Sequence, residues 1–184
     1  MNRFLKWIIG ILAITLVAVS IYSYKNDGLF SKRLSPKKTV SFKVDDIELE
    51  VFYNRPSKRE REVFGALVPY NKVWRTGANE ATTFETNKAL KVGNDSLPAG
   101  KYTLWTIPND TTWNVMFNSK QYSWGVDMEM NPMREPEFDV INISVPARKL
   151  DSTVEQFTIG FDNSTDNLSL TMAWDNTIIA VPLK

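Results

Sequence analysis

Leu97-Pro98-Ala99-Gly100-Lys101-Tyr102-Thr103-Leu104-Trp105-Thr106-Ile107 decides the fold. A Pro-Ala-Gly turn runs into aromatic and β-branched residues, the composition of a half-buried strand. With Leu90-Lys91-Val92 before it and the loop 93–100 between, the stretch is predicted to be one hairpin. Downstream, Pro108-Asn109-Asp110-Thr111 turns the chain into Trp113–Phe117, with Trp113, Val115 and Phe117 on one face. Upstream, Thr39–Val44 and Ile47–Tyr53 flank Asp45-Asp46. Leu49, Val51 and Tyr53 alternate there with Glu48 and Glu50, as in a strand with one face on a core.

Toward the C-terminus the same period predicts strands at Phe138–Val145, Gln156–Phe161, Leu168–Trp174 and Thr177–Leu183, with turns at Asp162–Asn167 and Asp175-Asn176. Pro69 confines Leu67–Tyr70 to an edge or crossing segment. No stretch after Thr39 carries a long helical period. The expectation is an all-β, antiparallel β-sandwich of about nine or ten strands over residues 39–184, with a flattened barrel as the second choice.

The chain has 184 residues and contains neither cysteine nor histidine. That removes disulfides, Ser-His-Asp and Cys-His catalysis, and zinc sites built on imidazole or thiolate. Catalysis would rest on carboxylates, Lys, Arg, Tyr, Ser/Thr or a hard metal held by oxygens; no cofactor and no metal site is expected. Residues 1–38 carry seven Lys/Arg against one acid, and residues 39–184 carry fifteen against twenty. A mildly acidic domain is a poor partner for nucleic acid.

Trp7 to Tyr24 contains no charge and follows Arg3 and Lys6. Residues 1–24 read as an N-terminal apolar helix, either an uncleaved membrane anchor through residues 7–24 or a signal peptide cleaved near Ala18-Val19-Ser20. Residues 25–38 read as a basic polar linker. The five Lys/Arg after the span outnumber the two before it, which by strict count favours a cytoplasmic domain, whereas a short basic head before an apolar run is the pattern of export. The expected location is membrane-anchored with the domain outside the cytoplasm, in the periplasm or cell envelope, or secreted if the N-terminal segment is cleaved.

Tyr53–Ser57, Val63–Tyr70, Val73–Thr83 (with Trp74-Arg75-Thr76-Gly77-Ala78-Asn79-Glu80-Ala81-Thr82 the most specific part), Leu97–Tyr102, Ile107-Pro108, Trp113, Phe117-Asn118 and Trp124-Gly125 resemble the bacterial domain of unknown function 2911 family. The resemblance implies an exported all-β domain of envelope or secreted proteins and brings no activity, cofactor or catalytic residue with it.

The candidate binding residues are Trp74, Arg75, Thr76, Asn79, Glu80, Trp105 and Trp124. An arginine fork reads carboxylates or hydroxyls, and an aromatic wall of Trp74 and Trp105 would stack on a sugar or peptide. The same residues would equally serve as a hydrogen-bonded corner locking two strands. Glu80 and Glu85 raise a glycosidase-like alternative, which needs two convergent carboxylates. Asp162–Asp166 has alternate oxygen side chains but lacks the glycine and glutamate of a calcium loop, so a hairpin turn is the better account. The Tyr122, Trp124, Met128, Met130 and Met133 segment is either a partner-binding patch or a cover for the open end of the core. The function expected from these features is binding of an envelope glycan, peptide or protein, with a carboxylate-based hydrolase or a structural envelope component as alternatives.

Overall fold

The computed structural model describes residues 2–26, 33–164 and 167–184. Residues 27–32 of the basic linker, and Thr165 and Asp166 of the turn considered for calcium, lie outside the described residues. The chain divides into two units, Met1–Pro36 and Lys37–Lys184.

The first unit contains helix α1, Arg3–Asn26. Its stretch Arg3–Tyr24 is long and apolar enough to cross a membrane, roughly 33 Å at ~1.5 Å per residue. Its two mid-helix hydroxyls turn back onto the helix, Thr15 Oγ1 donating to Ile11 O at 2.7 Å and Ser20 Oγ to Leu16 O at 2.8 Å. Neither therefore presents an unsatisfied donor to an apolar medium.

The second unit is all-β. Its strands are β1 (Lys37–Val44), β2 (Ile47–Asn54), β3 (Thr83–Thr86), β4 (Leu90–Val92), β5 (Asp95–Leu97), β6 (Gly100–Ile107), β7 (Thr112–Asn118), β8 (Asp139–Asp162) and β9 (Ser169–Pro182). Seven form one antiparallel sheet in the order β1-β2-β3-β6-β7-β8-β9, and β4-β5 form a small second sheet. The large sheet curls over its own core, and β8 makes the turn. Its first part pairs with β7 from Asp139 to Pro146, and its remainder pairs with β9, with register shifts between Lys149 and Val154 and between Val154 and Thr158. Such irregularities bend a strand and let it pass from one layer to the other. The far arm of β8 then reaches the chain beyond β2: Phe157 N donates to Pro56 O at 2.9 Å and Lys58 N to Glu155 O at 2.8 Å.

The core lies between the two halves. Phe64, Trp74, Trp113, Phe157 and Trp174 meet at its centre, with Phe64 edge-on to Trp113 at 4.8 Å and Trp74 stacked on Trp174 at 6.0 Å. Aromatic pairs at these separations add to what area burial alone contributes.

Three pairings depart from the sequence reading. Leu90–Val92 pairs with Asp95–Leu97, not with β6, whose neighbours are β3 and β7. The turn Gly93-Asn94 is tight enough to close its own two-strand hairpin, so the longer loop is not needed. Phe138–Val145 and Gln156–Phe161 are parts of one bent strand, and Leu168–Trp174 and Thr177–Leu183 fall almost wholly within another, β9. Asp175, expected to turn the chain, instead takes a positive φ of 54° within β9 and leaves it continuous.

Candidate functional site

Alternation along β6 sends Leu104 into the core and Trp105 to the opposite face of the sheet. Trp105 is nevertheless fully buried, as is Met116 directly across from it on β7. Residues 119–138, the long segment between β7 and β8, cover Trp105. Tyr122 meets the Trp105 ring edge-on at 5.3 Å. Gly125 comes so close that a Cβ there would lie 3.3 Å from Arg75 Cβ and 3.4 Å from the Trp105 ring. The segment is therefore a flap over a second, smaller apolar floor on the outside of the sheet, not a cover for the open end of the core.

Polar contacts fasten the flap. Thr103 Oγ1 donates to Lys120 O at 2.8 Å, Gln121 Nε2 to Lys101 O at 2.9 Å and Ser119 N to Phe138 O at 2.8 Å. At its far end the Arg134 guanidinium forks onto Asp139, with Nε 3.1 Å from Oδ2, and Asn118 Nδ2 donates to the same carboxylate at 2.8 Å. Both ion-pair side chains are almost enclosed, 12% and 9% exposed. Sequence reading missed this pair; the only signal is the Arg-Glu-Pro-Glu-Phe-Asp spacing, which resembles any charged loop.

The stretch Val73–Phe84 runs beside the flap. Trp74 continues the sheet by a backbone bridge to Thr106, with N···O distances of 2.7 and 3.0 Å. Its ring packs against the core, and its indole N–H donates to Gly77 O at 3.0 Å. Thr76 is buried at φ 55°, its hydroxyl donating to Thr106 Oγ1 at 3.2 Å, and Thr82 Oγ1 donates to Thr76 O at 2.7 Å. Asn79 takes φ 54°, a conformation asparagine tolerates better than most residues. Residues 74–82 thus form a knot closed by side-chain bonds.

Arg75, next to Trp74, points the other way. Its guanidinium makes one hydrogen bond among the described residues, NH1 donating to Trp124 O at 3.1 Å. Burial pulls its pKa below the ordinary arginine value, and the nearby Glu80 carboxylate partly restores it. Glu80 also lies 3.4 Å from Lys37. Trp124, which supplies the carbonyl to Arg75, is 45% exposed.

Arg75, Glu80 and Trp124 are therefore brought together. Trp74 and Trp105 do not form a shared aromatic wall: one packs against the inner core and the other is sealed under the flap, because they sit on opposite faces of the sheet. Glu80 and Glu85 each face a lysine, Lys37 and Lys101, both at 3.4 Å. Among the described residues no group of three Asp or Glu side chains is placed to hold a metal ion.

Residues 35–183 match the model of the DUF2911 family, proteins of unknown function, and the chain belongs to that family. No curated protein matches it, and no solved structure does.

Proposed function

We propose that the protein is an exported, membrane-tethered binding module for an envelope glycan, peptide or protein, and that its binding surface is the corner made by Arg75, Glu80 and Trp124. The observation that carries this reading is the state of Arg75. A half-buried guanidinium near the Glu80 carboxylate, with one hydrogen bond among the described residues, to a carbonyl, has donors left over there, and it has lost part of its hydration already. Trp124, whose backbone carbonyl accepts that bond, is itself exposed. A fork donor beside an aromatic surface suits a carboxylate-bearing peptide or a sugar ring with hydroxyls. Helix α1 supports tethering by its length and apolar character.

The test is a glycan and peptide array probed with the full-length chain in detergent, wild type against Arg75→Ala and Trp124→Ala. The expected result is a bound ligand whose apparent affinity falls about tenfold in each variant, a loss of about 1.4 kcal/mol. Two variants that lower thermal stability and leave every binding signal unchanged would remove the site.

A further inference from the structure

Three of the chain's six methionines fall within six residues, in Met128-Glu129-Met130-Asn131-Pro132-Met133. Their exposure runs against the chemistry of the side chain. Met128 is fully exposed, Met130 63% and Met133 47%, whereas Met116 and Met172 are both buried, at 0% and 1%. Apolar side chains clustered in solvent cost hydration free energy unless they have another use.

The backbone that carries them is built, not slack. Val126 bridges Pro132, Asp127 N donates to Asn131 O at 3.0 Å and Met130 N to Asp127 O at 3.1 Å. The Asp127 carboxylate accepts from the Glu129 N–H at 2.9 Å and the Asn131 N–H at 2.8 Å, and Met130 takes φ 67°. Met133 N donates to Gly125 O at 3.0 Å, which ties the third methionine beside Trp124. Residues two apart lie at most about 7 Å apart at Cα, and three apart at most about 11 Å, within the combined reach of long, flexible side chains.

We infer that the tip of the flap is a binding site for a soft monovalent cation, Cu(I) or Ag(I), with the thioethers of Met128, Met130 and Met133 as ligands. Thioether sulfur is a soft donor that selects Cu(I) over harder ions. The absence of cysteine and histidine excludes thiolate and imidazole ligands and leaves thioethers as the soft donors of this chain. Glu129 and Asp127 add negative charge around the tip. Coordination forms sulfur–metal bonds without change of oxidation state, so no co-reactant is required. The inference is independent of the Arg75 reading.

The test titrates the full-length chain in detergent with silver nitrate in chloride-free buffer. The comparison is wild type against a Met128→Leu, Met130→Leu, Met133→Leu triple variant, which keeps apolar bulk and removes sulfur. One Ag(I) per wild-type chain is expected by native mass spectrometry, with affinity at least about tenfold lower in the triple variant. Mild peroxide oxidation of the wild type, converting thioethers to sulfoxides, is expected to have the same effect. A triple variant that binds Ag(I) as the wild type does would overturn the inference. So would a Glu129→Gln variant that loses binding as completely as the triple variant, since an ionic site follows the carboxylate and a soft one follows the sulfur. Zn(II) binding equal to that of Ag(I) would count equally against it.

Discussion

The aromatic centre and the flap use the same residue types to opposite ends. Between the two halves of the sheet, Trp74 meets Trp113 edge-on and stacks on Trp174, and Met172 is buried in the same core. On the outside, residues 119–138 bury only what faces the sheet, Tyr122 and Gly125 over Trp105, and display Trp124, Met128, Met130 and Met133 to solvent. Stability is concentrated in the first region. The second is held by hydrogen bonds and one enclosed ion pair, so it can be altered without unfolding the molecule.

The largest effect that separates them is a cavity. Trp174→Ala is expected to cost about 3–5 kcal/mol in urea denaturation, because Phe64, Trp74 and Phe157 all lose a neighbour. Trp124→Ala is expected to stay within about 0.5 kcal/mol of wild type. Equal losses in the two variants would break the comparison.

The next effect lies in the flap's clasp. Arg134→Ala leaves Asp139 nearly enclosed, with only the Asn118 amide against its carboxylate among the described residues, and is expected to cost about 2–3 kcal/mol, at or below the lower end of the range for a broken buried pair, since some water reaches the site. Limited proteolysis should then cut within 119–138 while the sheet remains intact. Cleavage spread evenly along the chain would show that flap and core unfold together.

A smaller effect is expected at the flap's closest approach. Gly125 has φ +80°, and an added Cβ would press on Arg75, Ala81 and Trp105 at 3.3 to 3.4 Å. Gly125→Ala is expected to cost about 1–2 kcal/mol by thermal denaturation, from backbone strain and lost fit.

The difference between the regions also explains what could be read in advance. Strands with one buried face announce themselves by alternation, as Leu49, Val51 and Tyr53 do, so the all-β fold was legible, as was the apolar helix. Pairing across long separations was not. β3 lies beside β6 with the β4-β5 hairpin between them in the chain, and no residue in β6 marks which neighbour it takes. The continuity of β8 through its register shifts runs against Pro146 and Asp151-Ser152, residues that by themselves read as a break in the strand. At the corner, Glu80 beside Arg75 was foreseeable from charge, whereas the partner that holds Arg75 is a backbone carbonyl 49 residues away, which any residue type supplies. Alternation is also why the proposed aromatic wall failed. Trp74 and Trp105 lie on strands joined by the Trp74–Thr106 bridge, and Trp105 is one residue from that bridge, which places the two rings on opposite faces.

The smallest effect concerns the tip itself and depends on pH. Asp127 is held below the ordinary aspartate value, first by the Asn131 backbone N–H and then by the Asn131 side chain, with burial opposing. A carboxylate whose pKa is lowered by the folded loop stabilises that loop above its unfolded value, about 3.9, and loses the contribution as pH falls through the lowered value. Hydrogen exchange at the Glu129 and Asn131 amides, corrected for intrinsic rate, should therefore be slow at neutral pH and accelerate below about pH 4. The amides of β6 and β7 should not respond over the same window. Asp127→Asn should give the fast exchange at every pH and leave the thermal midpoint of the sheet in place. A tip whose exchange ignores both pH and Asp127→Asn would mean that its backbone bonds hold it without the carboxylate, and the flap would then be more like the core than its side-chain hydrogen bonds suggest.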